Sequence, residues 1–182
     1  GIALDDLPEI DFVLISHNHY DHLDIPTLQA LAKRNPQIRF YVPLGNERLL
    51  EKHGLKNIRP LDWMQIETHA GVEIHCLPSQ HWSKRGLGDD LENLWASWAV
   101  IGPERRFYFA GDTGYFGGFS EIGAALGPFD LAAVPIGAYR PTELMRFTHM
   151  NPEEAVQAAL DVRARRALAI HFGTFDLADE PL

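Results

Sequence analysis

A short apolar run, Phe12-Val13-Leu14-Ile15-Ser16, stops abruptly at His17-Asn18-His19-Tyr20-Asp21-His22. The run has the length and the branched and aromatic content of a buried strand. The six residues after it offer His17, His19, Asp21 and His22 as potential metal ligands. Loops at strand ends are where α/β folds build their sites. Imidazole and carboxylate together suit zinc, iron or manganese. On an extended loop successive residues project different ways, so His17 and His19 can serve one ion and Asp21 and His22 a second beside it. A single loop histidine would carry no such message. The cluster at the end of a strand does.

The rest of the chain alternates strand and helix signals irregularly. Asp24 reads as an N-cap, with Pro26 in the first turn of a helix running to about Arg34 and stopped by Asn35-Pro36. Residues 38–42 read as a strand, and residues 47–53 as a short helix ended by Gly54. Val72, Ile74 and Cys76 alternate with Glu73 and His75, the pattern of a half-buried strand. Residues 95–101 and 106–110 read as two strands joined by a turn at Gly102-Pro103-Glu104-Arg105. Residues 131–135 and 167–170 are further strand candidates, the second running into His171. Asn151-Pro152-Glu153-Glu154 opens a helix with a cap, a proline at N1 and early acids. Ala155, Val156, Ala159 and Leu160 are its expected apolar stripe. Such a mixture predicts a layered α/β architecture.

Composition narrows the function classes. With 182 residues the chain is long enough for one domain with a real core. The net charge of −9 argues against a nucleic-acid binder. Cys76 is the single cysteine, so no internal disulfide forms and a reducing compartment is compatible. There is no signal peptide pattern and no apolar run near the ~20 residues that span a bilayer. The expected location is cytoplasmic, with a peripheral membrane contact left open. The start at Gly1 without a methionine, and the abrupt stop after Glu180-Pro181-Leu182, predict a piece of a longer protein. Residues 1–182 are read as a single, incomplete domain, which the resemblance described next makes a metallo-hydrolase domain.

His-x-His-x-Asp-His after an apolar strand resembles the signature of the metallo-β-lactamase superfamily. Ser79-Gln80-His81-Trp82-Ser83-Lys84-Arg85, Leu94-Trp95-Ala96-Ser97-Trp98, Phe109-Ala110-Gly111-Asp112-Thr113-Gly114-Tyr115, Pro135-Ile136-Gly137-Ala138-Tyr139, His149-Met150-Asn151-Pro152-Glu153-Glu154-Ala155 and Ala169-Ile170-His171-Phe172-Gly173-Thr174-Phe175 narrow it. Together, over nearly the whole chain, they are similar to the N-acyl-phosphatidylethanolamine phospholipase D family and its bacterial relatives.

The resemblance implies a four-layer αβ/βα sandwich of the metallo-β-lactamase type, lacking here the strands that precede the metal motif. It implies two Zn2+ (Mn2+ or Fe2+ as substitutes): His17, His19 and His81 on the first, Asp21, His22 and His171 on the second, and Asp112 bridging. Asp112, where zinc β-lactamases carry a later cysteine ligand, favours a two-metal hydrolase. His19, where flavodiiron oxygen reductases have glutamate, favours hydrolysis over redox chemistry. A hydroxide shared by metals ~3.5–4 Å apart would attack phosphorus at neutral pH. Asp21 and Asp112 are thus both ligands and catalytic groups. The resemblance makes His149 face the site, to orient the phosphate or protonate a leaving group.

The expected function is a phosphodiesterase of the phospholipase D type, on N-acyl phospholipids or related small phosphodiesters. The alternatives are a hydrolase of a carboxylic substrate such as a sugar lactone, and a non-catalytic metal-binding module. Tyr115 and Tyr139 are pocket candidates or packing residues. His53, His69 and His75 are read as surface or half-buried, Trp82, Trp95 and Trp98 as core, and Lys84-Arg85 as a solvated pair by default, with contact to a phosphate headgroup as the alternative. Oligomeric state is not legible.

Overall fold

The computed structural model describes residues 2–86, 88–89 and 91–180. The chain resolves into two compact units, Gly1–Asp62 with Ser83–Leu94, and Trp63–Trp82 with Trp95–Leu182. Each has its own sheet and its own apolar core.

The first unit is a parallel sheet in the order β1 (Phe12–Leu14), β2 (Arg39–Pro43), β3 (Ile58–Leu61). Parallel neighbours need a crossover, supplied here by α1 (Ile25–Arg34) and α2 (Glu47–Lys52). The Asp24 carboxylate accepts from the Thr27 amide at 3.0 Å, capping α1 as its sequence predicts, with Pro26 in the first turn. Leu28 and Leu31 of α1, Phe40 and Val42 of β2, and Leu50 of α2 close the core. The Ile15 amide donates to the Tyr41 carbonyl at 3.0 Å, so the β1–β2 ladder runs one residue beyond Leu14. The chain leaves the sheet only as the histidine cluster begins.

The second unit is a six-stranded sheet in chain order: β4 (Ile66–His69), β5 (Val72–Leu77), β6 (Ser97–Ile101), β7 (Arg106–Phe109), β8 (Leu131–Pro135), β9 (Ala167–Ile170). The pairs from β4 to β7 are antiparallel; β7, β8 and β9 run parallel. Ala70 and Gly71, both at positive φ, turn β4 into β5 in two residues. α3 (Gly118–Leu126) crosses from β7 to β8, and α4 (Thr142–Met145) and α5 (Pro152–Asp161) lie between β8 and β9. Tyr108, Phe119, Phe129 and Met150 fill the core, each with no exposed surface.

The face of α5 differs from its expected stripe. Ala155, Ala158, Ala159 and Val162 are buried, whereas Val156 and Leu160 are each 62% exposed. The buried face is made of small residues, which let α5 pack closely. Its start agrees with the sequence: Asn151 and Glu154 form a reciprocal capping box, at 2.8 and 3.1 Å. Asn151→Ala is expected to cost about 1 kcal/mol, read as a lower urea midpoint with unchanged slope. No helix among the described residues is long and apolar enough to cross a membrane.

Candidate metal centre

In the first unit the ligand run is a turn closed on one carbonyl. The amides of His22 and Leu23 both donate to the His19 carbonyl, at 3.2 and 3.0 Å, and fully buried Leu23 anchors the turn before Asp24 starts α1. The turn crowds its imidazoles together. The His17 ring lies 4.4 Å from that of His19 and 4.3 Å from that of His22. His17 Nε2 is 2.8 Å from His19 Nδ1, and His22 Nε2 is 3.1 Å from the Asp21 carboxylate. His17 is 1% exposed, and its Nδ1 meets the Ser16 hydroxyl at 3.0 Å. Its Nε2 is thereby the nitrogen turned to the other ligand candidates.

In the second unit strand direction does the gathering. β5 runs parallel to β7, because β6 is antiparallel to both, and β8 and β9 follow β7. The residues that come after β5, β7 and β9 therefore leave the same edge of the sheet, and they include His81, Asp112 and His171. Two bonds tie the loops: the Gln80 amide donates to the Thr113 hydroxyl at 2.9 Å, and the Gly114 amide to the Gln80 carbonyl at 2.8 Å. Asp112, 3% exposed, has Oδ2 at 3.3 Å from His171 Nε2, 3.8 Å from His81 Nε2 and 4.0 Å from His149 Nδ1. The His149 ring stacks on that of His171 at 5.6 Å and 10°, and stands edge-on to His81 at 5.2 Å. The His149 amide donates to Met145 at 2.8 Å, so α4 holds it from behind.

These donors fit a metal. His81 Nδ1 lies 3.0 Å from the Thr148 carbonyl, which can only accept, so Nδ1 carries the proton. Nε2 is then the nitrogen that faces the Asp112 carboxylate, 3.8 Å away, and a cation between the two would satisfy both. An imidazole steadied through its other nitrogen by a carbonyl is also the usual outer-shell arrangement of metal-bound histidine.

Other sequence readings fare variously. Trp98 is buried, and Trp95 is partly buried with its indole donating to the Ser79 carbonyl at 2.9 Å, but Trp82 is 37% exposed rather than core. His75 is buried against Glu73 at 3.0 Å, His69 is half-buried and His53 is exposed. The Tyr115 hydroxyl donates to Asp161 at 2.5 Å. Tyr139 lines a cavity of about 200 Å3 with Ile136, Pro152, His171 and Phe172.

Arg85 is the main correction. Instead of a solvated side chain, it donates from Nη1 to the carbonyls of Asn18 and Leu23, at 3.0 and 2.7 Å, and covers the Tyr20 ring at 4.1 Å. Burial draws its guanidinium below the ordinary arginine range, countered by the nearby Asp24 carboxylate. These contacts join residues 62 to 67 positions apart, which no local pattern announces.

An α/β fold carrying clustered imidazoles and carboxylates at its strand ends has the donor set of a metal-binding protein. A family model for the beta-lactamase superfamily domain matches residues 1–172. The chain belongs to that superfamily, in its metallo-β-lactamase fold. It is 45% identical to the N-acyl-phosphatidylethanolamine-hydrolyzing phospholipase D 1 of Caenorhabditis elegans, over 97% of this chain and 52% of the nematode protein. It is 31% identical to a metal-dependent hydrolase of Caldivirga maquilingensis, over 96% of this chain and 69% of that one. Among solved structures it is similar to a metallo hydrolase of Ignicoccus hospitalis, with a TM-score of 0.74 and 22% identity over 94% of this chain and 67% of that one. The chain spans about half the length of the curated relatives it matches first.

Proposed function

We propose that residues 1–182 form one binuclear metallo-hydrolase domain that cleaves phosphodiesters in the manner of a phospholipase D, on N-acyl phospholipids or smaller relatives of them. The observation that carries this reading is the Asp112 carboxylate, buried within 4.0 Å of three imidazoles. The 45% identity to a phospholipase D of that specificity supports the substrate class. In this reading His17, His19 and His81 hold one ion, Asp21, His22 and His171 hold the other, and Asp112 serves both. Zinc is the expected metal, with manganese or iron suited to the same donors. Bound there, the metals supply Lewis acidity and a water acidified to a pKa of ~7.

The protein's own contribution is positioning. In this reading His149, stacked on His171 and held from behind by α4, would hydrogen-bond a phosphoryl oxygen or give a proton to the leaving oxygen. The substrate is expected at a peripheral membrane contact or free in the cytoplasm, and nucleic acid is not among the expected partners. The test is metal content by elemental analysis alongside hydrolysis of bis(p-nitrophenyl) phosphate and of a sugar lactone. Near two metals per chain with phosphodiester turnover is expected. Turnover of the lactone alone would replace the substrate class, and a folded protein that takes up no metal would sink the reading.

A further inference from the structure

We propose that Arg85 is a positioning residue for the ligand run at residues 17–22, setting its metal affinity without touching the metal. The inference rests on reading that run as metal ligands. Nη1 of Arg85 reaches the carbonyls of Asn18 and Leu23, which bracket His19, Asp21 and His22, and lies 3.5 Å from the His19 carbonyl between them. Asn18 is 2% exposed and Leu23 wholly buried, so bulk water is a poor substitute donor to this backbone. The inner end of the turn is already closed on the His19 carbonyl by the amides of His22 and Leu23. Arg85 closes the outer span.

The side chain is itself held on both sides. The amides of Arg85 and Gly86 donate to the Asp89 carboxylate at 3.1 and 2.8 Å, and the Ser83 hydroxyl donates to the Asn93 carbonyl, which fixes the segment that carries it. Its guanidinium face lies on Tyr20, a residue inside the ligand run whose ring is 71% exposed and therefore held by the cation rather than by the core. Arginine suits this task because it stays protonated despite burial and has no lone pair with which to compete as a ligand.

The experiment is a chelator-competition titration with Zn2+ on the whole chain, for wild type, Arg85→Ala, Arg85→Lys and Tyr20→Leu. Loss of an outer-shell partner lowers metal affinity by about 10–100-fold, and that loss is expected for Arg85→Ala. Arg85→Lys is expected to recover part of it, since an ammonium can donate to both carbonyls but does not stack on Tyr20. Tyr20→Leu is expected to fall between wild type and Arg85→Ala. Melting of the metal-free proteins supplies the readout a purely structural role would move instead: Arg85→Ala is expected to lower Tm modestly, for the two carbonyls left without their donor, and to lose more zinc affinity than that stability change accounts for. Wild-type affinity in Arg85→Ala overturns the proposal. So does a loss of metal-free stability large enough to account for the whole affinity change. If Arg85→Ala does not fold, unchanged affinity in both Arg85→Lys and Tyr20→Leu overturns it. A wild type that binds no zinc would instead remove the ligand reading of residues 17–22.

Discussion

Asp112→Asn is expected to abolish phosphodiester turnover, by on the order of 10^3-fold or ~4 kcal/mol of barrier, while leaving the fold intact. The substitution is nearly isosteric in a position 3% exposed, so it removes charge and not volume. The charge is what the surroundings call for. Three imidazoles from three separate segments converge on this carboxylate at 3.3 to 4.0 Å. An amide offers one neutral oxygen where the carboxylate offers two oxygens sharing a negative charge, so the variant would hold a cation far more weakly. Metal content should therefore fall together with rate, while the far-ultraviolet circular dichroism stays that of wild type. Turnover within tenfold of wild type, with two metals retained, would show that Asp112 is not the bridging ligand. Retained metal with lost turnover would leave it as a catalytic group on an otherwise complete centre.

How much of the fold is legible in the sequence depends on how local its cause is. The caps at Asp24 and Asn151 act within three residues of themselves, and both helices begin where those residues predict. β8 and β9 occupy the spans their apolar runs mark. β3 is hidden because Pro60 demotes a strand pattern; it is tolerated in Ile58–Leu61, an edge strand. α3 is hidden because it starts on Gly117 and Gly118 with no side-chain cap. The same rule governs the site. The first four ligand candidates sit in six residues and speak for themselves. His81, Asp112 and His171 look unremarkable singly; family resemblance brings them in, and parallel strand direction is the physical reason they meet. Arg85 ends one of the motifs that carry the family resemblance, but no local pattern gives it a task, and only the folded chain reveals its carbonyl partners.

Gly137→Ala should lose both stability and metal, because at this glycine the segment after β8 presses on the backbone of His171, a proposed ligand. The Ile136 amide donates to the Ile170 carbonyl at 3.0 Å, carrying the β8–β9 pairing up to His171. A methyl group at Gly137 would then stand 2.0 Å from the His171 carbonyl oxygen and 3.1 Å from its carbon. Both obstacles are backbone, so no side chain can rotate out of the way. The strands must part or the His171 segment must shift. Overpacking of this kind costs about 3 kcal/mol, which for a chain of this size is roughly 6–12 °C in Tm. The shift also reaches the site, since His171 Nε2 lies 3.3 Å from Asp112 and its ring stacks on His149. Gly117→Ala is the control: nothing lies within 4 Å of its added carbon and its φ of −62° suits any residue. It should change stability by no more than about 0.5 kcal/mol and leave metal content alone. If Gly137→Ala melts and binds metal as Gly117→Ala does, the close approach of the segment after β8 to His171 does not position that ligand. If stability falls while metal content holds, the two strands can part without moving the imidazole, and His171 is anchored from the Asp112 side instead.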